Sequence, residues 1–245
     1  MDEVLAVGDA AFQQKCLGKI RDVAGEGRTV LFLSHNMAAV LSLCYEAYLL
    51  DCGHVVYNDA TADVVSRYME NISRTAETPL SERKDRGGTG SVRLISLQIH
   101  NGNGDSTIRC GDCLRITMAY RSAQRVSSPA FQVNIYDEFN RSLFWLDSRL
   151  AGGLPNSLPA SGVITCVTEP VNITPGFCVV NVAVFAGGVI VDHIKRAIAF
   201  DIEADDFYGT GKLINRQEAL CLVKQQWKVE DWSDSEYPSN VGIGA

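Results

Sequence analysis

Asp2 and Glu3 are adjacent carboxylates that run into the apolar stretch VLAV, and His35 follows the apolar run TVLFLS at 29–34. Two carboxylates and an imidazole at strand ends are suitable groups for nucleotide hydrolysis. One carboxylate holds Mg²⁺, the next polarises an attacking water, and the imidazole meets the transferring phosphate. Taken singly, each is more often a surface acid or a satisfied histidine. Their order carries more weight, because open α/β sheets bind ligands at the carboxyl ends of their strands, where Asp2, Glu3 and His35 would converge.

A second set of chemistry-bearing residues lies on alternating segments further along. In FQVNIY, Phe131, Val133 and Ile135 form a core face, leaving Gln132, Asn134 and Tyr136 on the other. In the segment 177–185, Cys178, Val180, Val182 and Val184 face one side, and Asn181 and Phe185 the other. Trp145 belongs to the intervening hairpin strand and is expected opposite Tyr136. Amides beside aromatic rings suit a sugar: rings stack on the apolar face of a pyranose while planar amides bridge its hydroxyls. The competing role for Trp145 and Phe185 is simple core packing.

Other candidates are weaker. Cys110 and Cys113 bracket a Gly-Asp pair, but no second Cys or His pair follows at a zinc-site interval, so they read as a turn entering a strand. Asp205 and Asp206 read as a solvated turn rather than a metal pair. His100 and His193 stand far from any recognisable nucleophile.

The elements that position these groups fall into two regimes. Phe12, Cys16, Ile20 and Val23 follow Asp9 at helical spacing, and Gly25 and Gly27 end that helix. A buried strand is expected at 29–34, a helix at 36–44, short strands at 47–51 and 54–57, and a helix at 61–69. This order predicts an α/β layer over 1–70. The stretch 71–90 is polar, mixed in charge and glycine-ending, and reads as a linker. From 91 to 230, seven short alternating segments (95–99, 114–120, 131–136, 142–146, 163–167, 176–184 and 194–202) predict an all-β antiparallel sandwich. The polar residues 231–245 are expected to be a flexible tail.

The whole chain sets bounds on partners. Its 245 residues, 46 % of them apolar, can fill a sizeable core. A net charge of −7 without charge runs disfavours nucleic acid and anionic membrane surfaces. No window approaches 18 consecutive apolar residues and no export signal is evident, so the expected compartment is the cytoplasm, with the eight cysteines reduced.

The runs DEVLAVGDAAFQQKCLGKI, GRTVLFLSHNMAAVLSLC and AYLLDCGHVVYNDATADVVSRYME resemble the C-terminal third of an ABC-type ATPase. The resemblance is greatest to the polysaccharide-export branch, which includes Wzt-like O-antigen exporter subunits. It implies that Asp2 is the Walker B aspartate that binds Mg²⁺ and that Glu3 is the catalytic glutamate. It further implies that Ala6 to Asp9 form the D-loop facing the partner subunit, and that His35 is the switch histidine sensing the γ-phosphate of ATP. The implied partners are a second copy in a homodimer, a membrane permease subunit and a polysaccharide cargo, at the inner face of the cell membrane. Members of this branch append a C-terminal β-sandwich that recognises the cargo glycan, and 91–230 is similar to it in length, position and strand pattern. A sandwich acting only as an oligomerisation module is the alternative.

The departures bear on activity. There is no G-x-x-x-x-G-K-[ST] cradle for phosphates and no LSGGQ-like segment. The strand that should carry Asp2 is reduced to Met1. The chain therefore reads either as a truncated remnant fused to a sandwich or as a fragment of a full ATPase subunit. With one neighbour of the strand at 29–34 missing, 1–70 is expected to be poorly ordered or sticky. A magnesium–ATP titration of this chain should show neither micromolar binding nor turnover, and either signal would overturn the expectation.

Overall fold

The computed structural model describes residues 29–33, 37–51, 53–216 and 218–228. Asp2, Glu3, Asp9 and His35, the helix expected after Asp9 and the tail 231–245 lie outside them.

Residues 29–33 form no strand, and Leu31 is 92 % exposed. A strand exists only through its ladder, and among the described residues none pairs with this run. Next come helix α1 (Met37–Leu43), strands β1 (Glu46–Asp51) and β2 (His54–Ala60), and helix α2 (Thr61–Glu77). β1 and β2 are an antiparallel hairpin, running from Glu46↔Ala60 to Asp51↔His54. Only residues 52 and 53 separate the strands, and parallel pairing needs a crossover of a dozen residues or more.

The stretch 71–90, expected as a linker, carries regular structure. Helix α2 continues to Glu77 because Ile72 reaches buried surface, and it stops where Thr78, ahead of Pro79, turns to β geometry (φ −68°, ψ 123°). Beyond it the chain is anchored. Arg83 is buried and donates to the carbonyls of Thr75 (3.0 Å), Arg196 (2.9 Å) and Lys195 (2.7 Å), while pairing with Asp85 at 2.6 Å. Arg86–Gly87 is itself a strand, β3, paired with His193 and Ile194.

The rest is two antiparallel sheets packed face to face. The smaller has the order β11 (Ser161–Pro170), β6 (Cys113–Ser122), β4 (Val92–Asn101). The larger runs β3, β13 (Val189–Glu203), β12 (Gly176–Ala186), β8 (Pro129–Asp137), β9 (Ser142–Asp147), with β5 (Ile108–Arg109) joining the end of β13 in parallel. A short pair, β7 (Val126–Ser127) with β10 (Ser157–Leu158), stands apart. Each of the seven alternating segments predicted from the sequence falls on one of the long strands. The β12–β13 hairpin closes through Gly187 and Gly188, both at positive φ (57° and 81°), as a two-residue turn with the twist of its strands requires.

Between the sheets lie Leu94, Leu114, Ile116 and Met118 from one side and Val133, Ile135, Val180, Val182, Val184 and Ile194 from the other. Each such side chain contributes about 1.5–3 kcal/mol by leaving water. One charged group sits among them. Asp192 of β13 is fully buried and accepts from Arg86 Nε (3.0 Å), Arg93 Nη1 (3.1 Å) and the Leu94 N–H (2.8 Å). No helix among the described residues is long and apolar enough to cross a membrane.

Removing one partner of a buried ion pair strands the other charge, so Asp192→Ala should lower the unfolding free energy by about 3–5 kcal/mol. Arg93 is 41 % exposed, and Arg93→Ala should cost about 1 kcal/mol or less. Urea denaturation separates the two; equal losses would contradict the assignment.

Candidate functional site

The inward alternation of β8, β12 and β9 leaves a second set of side chains on the outer face of the larger sheet. Phe131, Val133 and Ile135 are buried, while Gln132, Asn134 and Tyr136 are half-exposed, as the alternation predicts. On β12, Cys178, Val180, Val182 and Val184 are buried, with Asn181 and Phe185 half-exposed on the other side. Register then brings these strands together. Asn134 lies directly opposite Trp145 on β9 and directly opposite Asn181 on β12. Trp145 was expected across from Tyr136. The register instead sets Tyr136 opposite Ser142, past an irregularity between Ile135 and Tyr136.

The polar groups are ordered. Gln132 Nε2 donates to Asn134 Oδ1 (3.1 Å), and Asn134 Nδ2 donates to Tyr136 Oη (3.3 Å), a line along one strand. Asn181 Oδ1 accepts from the backbone N–H of Arg196 at 2.8 Å. This leaves the Asn181 amide donors, the Tyr136 hydroxyl proton and a second lone pair on each amide oxygen for a ligand. Trp145 is 64 % exposed, which excludes core packing as its role.

Phe185 differs. The Arg149 guanidinium covers its ring at 4.5 Å from the centroid, held there by a fork to Asp147 with Nη2···Oδ2 of 2.6 Å. The ring is therefore not a bare stacking surface, and Arg149 is a residue of this face that alternation did not find. The same fork holds the Asp147 carboxyl below the usual carboxylate range, against the opposing effect of burial. Arg196 was also missed. It sits at φ +53° in a bulge of β13, and its guanidinium donates to Tyr68 Oη of α2 at 2.6 Å.

The weaker candidates serve local structure. Gly111 and Asp112 turn the chain from β5 into β6, with Asp112 Oδ2 accepting from the Arg109 N–H at 2.8 Å. Cys110, just before this turn, is buried, and burial pushes its thiol up. Asp206 accepts from the N–H groups of Thr210 (3.0 Å) and Gly211 (2.7 Å), closing its own loop; these bonds, that from Gly211 first, lower its carboxyl. Among the described residues no three His, Cys, Asp or Glu side chains gather as a metal site would need.

Several known proteins are similar to this chain. The O-antigen export system ATP-binding protein RfbB of Myxococcus xanthus is 25 % identical over 187 residues, which are 69 % of this chain and 43 % of that protein. The teichoic acids export ATP-binding protein TagH of Bacillus anthracis is 35 % identical over 85 residues, 35 % of this chain and 16 % of that protein. The chain thus spans less than half the length of these relatives. A crystal structure of the C-terminal domain of Wzt aligns with a TM-score of 0.49 at 18 % identity, covering 65 % of this chain and 95 % of that one. Residues 83–213 match the family described as the Wzt C-terminal domain. With more than half of its length matched, this chain belongs to the Wzt C-terminal domain family.

Proposed function

We propose that this chain is part of the ATP-binding subunit of an ABC exporter for O-antigen or a similar cell-surface polysaccharide, and that the outer face of its larger sheet recognises the cargo glycan. Family membership and the export functions named for the relatives support the first half. The single observation that carries the second is the cross-strand row Trp145–Asn134–Asn181. An exposed indole offers a flat apolar surface for one side of a sugar ring, and the adjacent amides offer donors and acceptors to its hydroxyls. Gln132 and Tyr136 fix the Asn134 amide before a ligand arrives, which lowers the ordering cost of binding.

On the same reading, Asp2, Glu3, Asp9 and His35 belong to the nucleotide site of the complete subunit, where ATP with Mg²⁺ supplies the energy for transport. The partners are a second copy, a membrane permease and the polysaccharide, at the cytoplasmic face of the membrane.

A second reading makes the sandwich an oligomerisation module alone. It is favoured by β11, which forms one edge of the smaller sheet and leaves Val163 and Val167 exposed.

Calorimetry of the full chain against a panel of purified O-antigen, capsular and teichoic-acid polymers tests the proposal. The unmodified chain should bind one class. Trp145→Ala should weaken that binding about tenfold or more, in the range of a central aromatic contact. Because Trp145 is exposed, the same variant should change stability by about 0.5 kcal/mol or less. Undiminished binding by Trp145→Ala would remove this face from consideration. A concentration-dependent dimer with no glycan bound by any variant would favour the second reading.

A further inference from the structure

Helix α2 and the proposed glycan face share one residue. The register of β13 with β12 passes from Val180↔Ile198 to Val182↔Ile194, so Lys195, Arg196 and Ala197 together oppose Asn181 alone. Within this bulge Arg196 takes φ +53°, in the left-handed region that disfavours any side chain beyond glycine. Such a conformation persists only where its surroundings over-determine it. Here three contacts do so, one for each part of the residue. The Arg196 N–H donates to Asn181 Oδ1 at 2.8 Å. Its carbonyl accepts from Arg83 Nη1 at 2.9 Å, and the same nitrogen donates to the Thr75 carbonyl near the end of α2 at 3.0 Å. Its guanidinium donates to Tyr68 Oη at 2.6 Å and lies 5.1 Å from that ring's centroid. Among the described residues Arg196 has no carboxylate partner, so its side chain is committed to the helix and its backbone to the face.

The connection continues in both directions. Asn181 stands opposite Asn134, and Asn134 opposite Trp145. At the other end of α2, Thr61 donates through its N–H to the Tyr45 carbonyl (3.1 Å) and through its hydroxyl to the Cys44 carbonyl (2.8 Å). A group that engages the Asn181 amide donors also fixes the oxygen that holds the Arg196 N–H.

We propose that Arg196 is a positioning residue that couples glycan binding on this face to the docking of helix α2. A ligand across Asn134 and Asn181 tightens the helix, and a docked helix orients Asn181 for the ligand. The two effects are equal, because coupling between sites is reciprocal. The coupling rests on the reading of this face as a glycan site, and it passes from that face to the segment ahead of the sandwich.

Two measurements on the full chain need no ligand. Hydrogen exchange of the amides in 61–77 should speed up about threefold or more in Asn181→Leu, a typical size for coupling through packed networks. It should stay at the unmodified rate in Asn181→Asp, which keeps an oxygen for the Arg196 N–H. In the NMR spectrum, Tyr68→Leu should shift the side-chain NH₂ signal of Asn181, although the two residues lie on different elements. Unchanged exchange in Asn181→Leu, or an unshifted amide in Tyr68→Leu, would overturn the coupling. The third arm uses whichever panel polymer binds the unmodified chain: Tyr68→Leu should weaken it about threefold or more, and its addition should slow exchange in 61–77. Equal affinity and unaltered exchange would sink the coupling and leave the glycan face standing. If no polymer binds the unmodified chain, the glycan face falls, and the two ligand-free arms still decide whether Arg196 ties Asn181 to the helix.

Discussion

Asp192 lies on the inner side of β13 with no exposed surface, and donors from both sheets converge on it: the Arg86 guanidinium on β3, the Arg93 guanidinium on β4 and the Leu94 N–H on β4. An uncompensated carboxylate there would be far costlier than any apolar contact is favourable. Apolar side chains between two sheets can exchange neighbours at modest cost, whereas these hydrogen bonds form only when β3, β13 and β4 stand in one arrangement. Arg86 carries the constraint outward. It also donates to the carbonyls of Leu80 (2.7 Å) and Leu94 (2.9 Å), which fixes the turn after α2 against the sandwich edge. From there Arg83 reaches the bulge of β13, so the position of the helix follows from the same buried charge.

The outer face inherits its order from the core. With Val133, Ile135, Val180, Val182 and Val184 fixed inside, a slip of one residue would turn each strand over. Gln132, Asn134 and Asn181 therefore share a surface because their neighbours cannot leave the interior. The turns flanking β9 are closed by carboxylates of the same kind. Asp137 accepts from the N–H groups of Phe139 (3.0 Å) and Arg141 (2.7 Å), and Asp147 from that of Arg149 (2.9 Å). Trp145 is thus held on a short strand pinned at both ends, which makes an exposed indole a defined surface.

Period-two alternation made the strands legible in the sequence, together with which side of β8 is wet, since both depend only on neighbours along the chain. What depends on the partner strand was not legible. The register of β8 with β9 sets Trp145 opposite Asn134 rather than Tyr136, and nothing in SLFWLD announces it. Composition misled at 71–90, where arginines and acids suggested solvent. Arg83 instead lies buried on carbonyls more than a hundred residues away, and Arg86 on Asp192. Arg196 left no local signal, since a left-handed arginine is set by contacts from three other segments. The nucleotide-type motifs at Asp2, Glu3, Asp9 and His35 fall outside the described residues, so the fold bears on the sandwich half of the sequence reading.

Helix and sandwich are joined by a different kind of force from the one that holds the sandwich together. The core is held by area, so opening it exposes many large side chains at once. Helix α2 buries only Thr61, Val64 and Ile72, and beyond these it is held by directional bonds: Arg83 to Thr75 at its end and Tyr68 to Arg196 at its middle. A hydrogen bond nets about 1 kcal/mol, rising to about 1.5–3 where one partner is charged. A few of them fix orientation closely yet can be exchanged one at a time. The helix can therefore be displaced without exposing the core, and the bulge at Arg196 is the place where such a displacement would reach the row of amides beside Trp145.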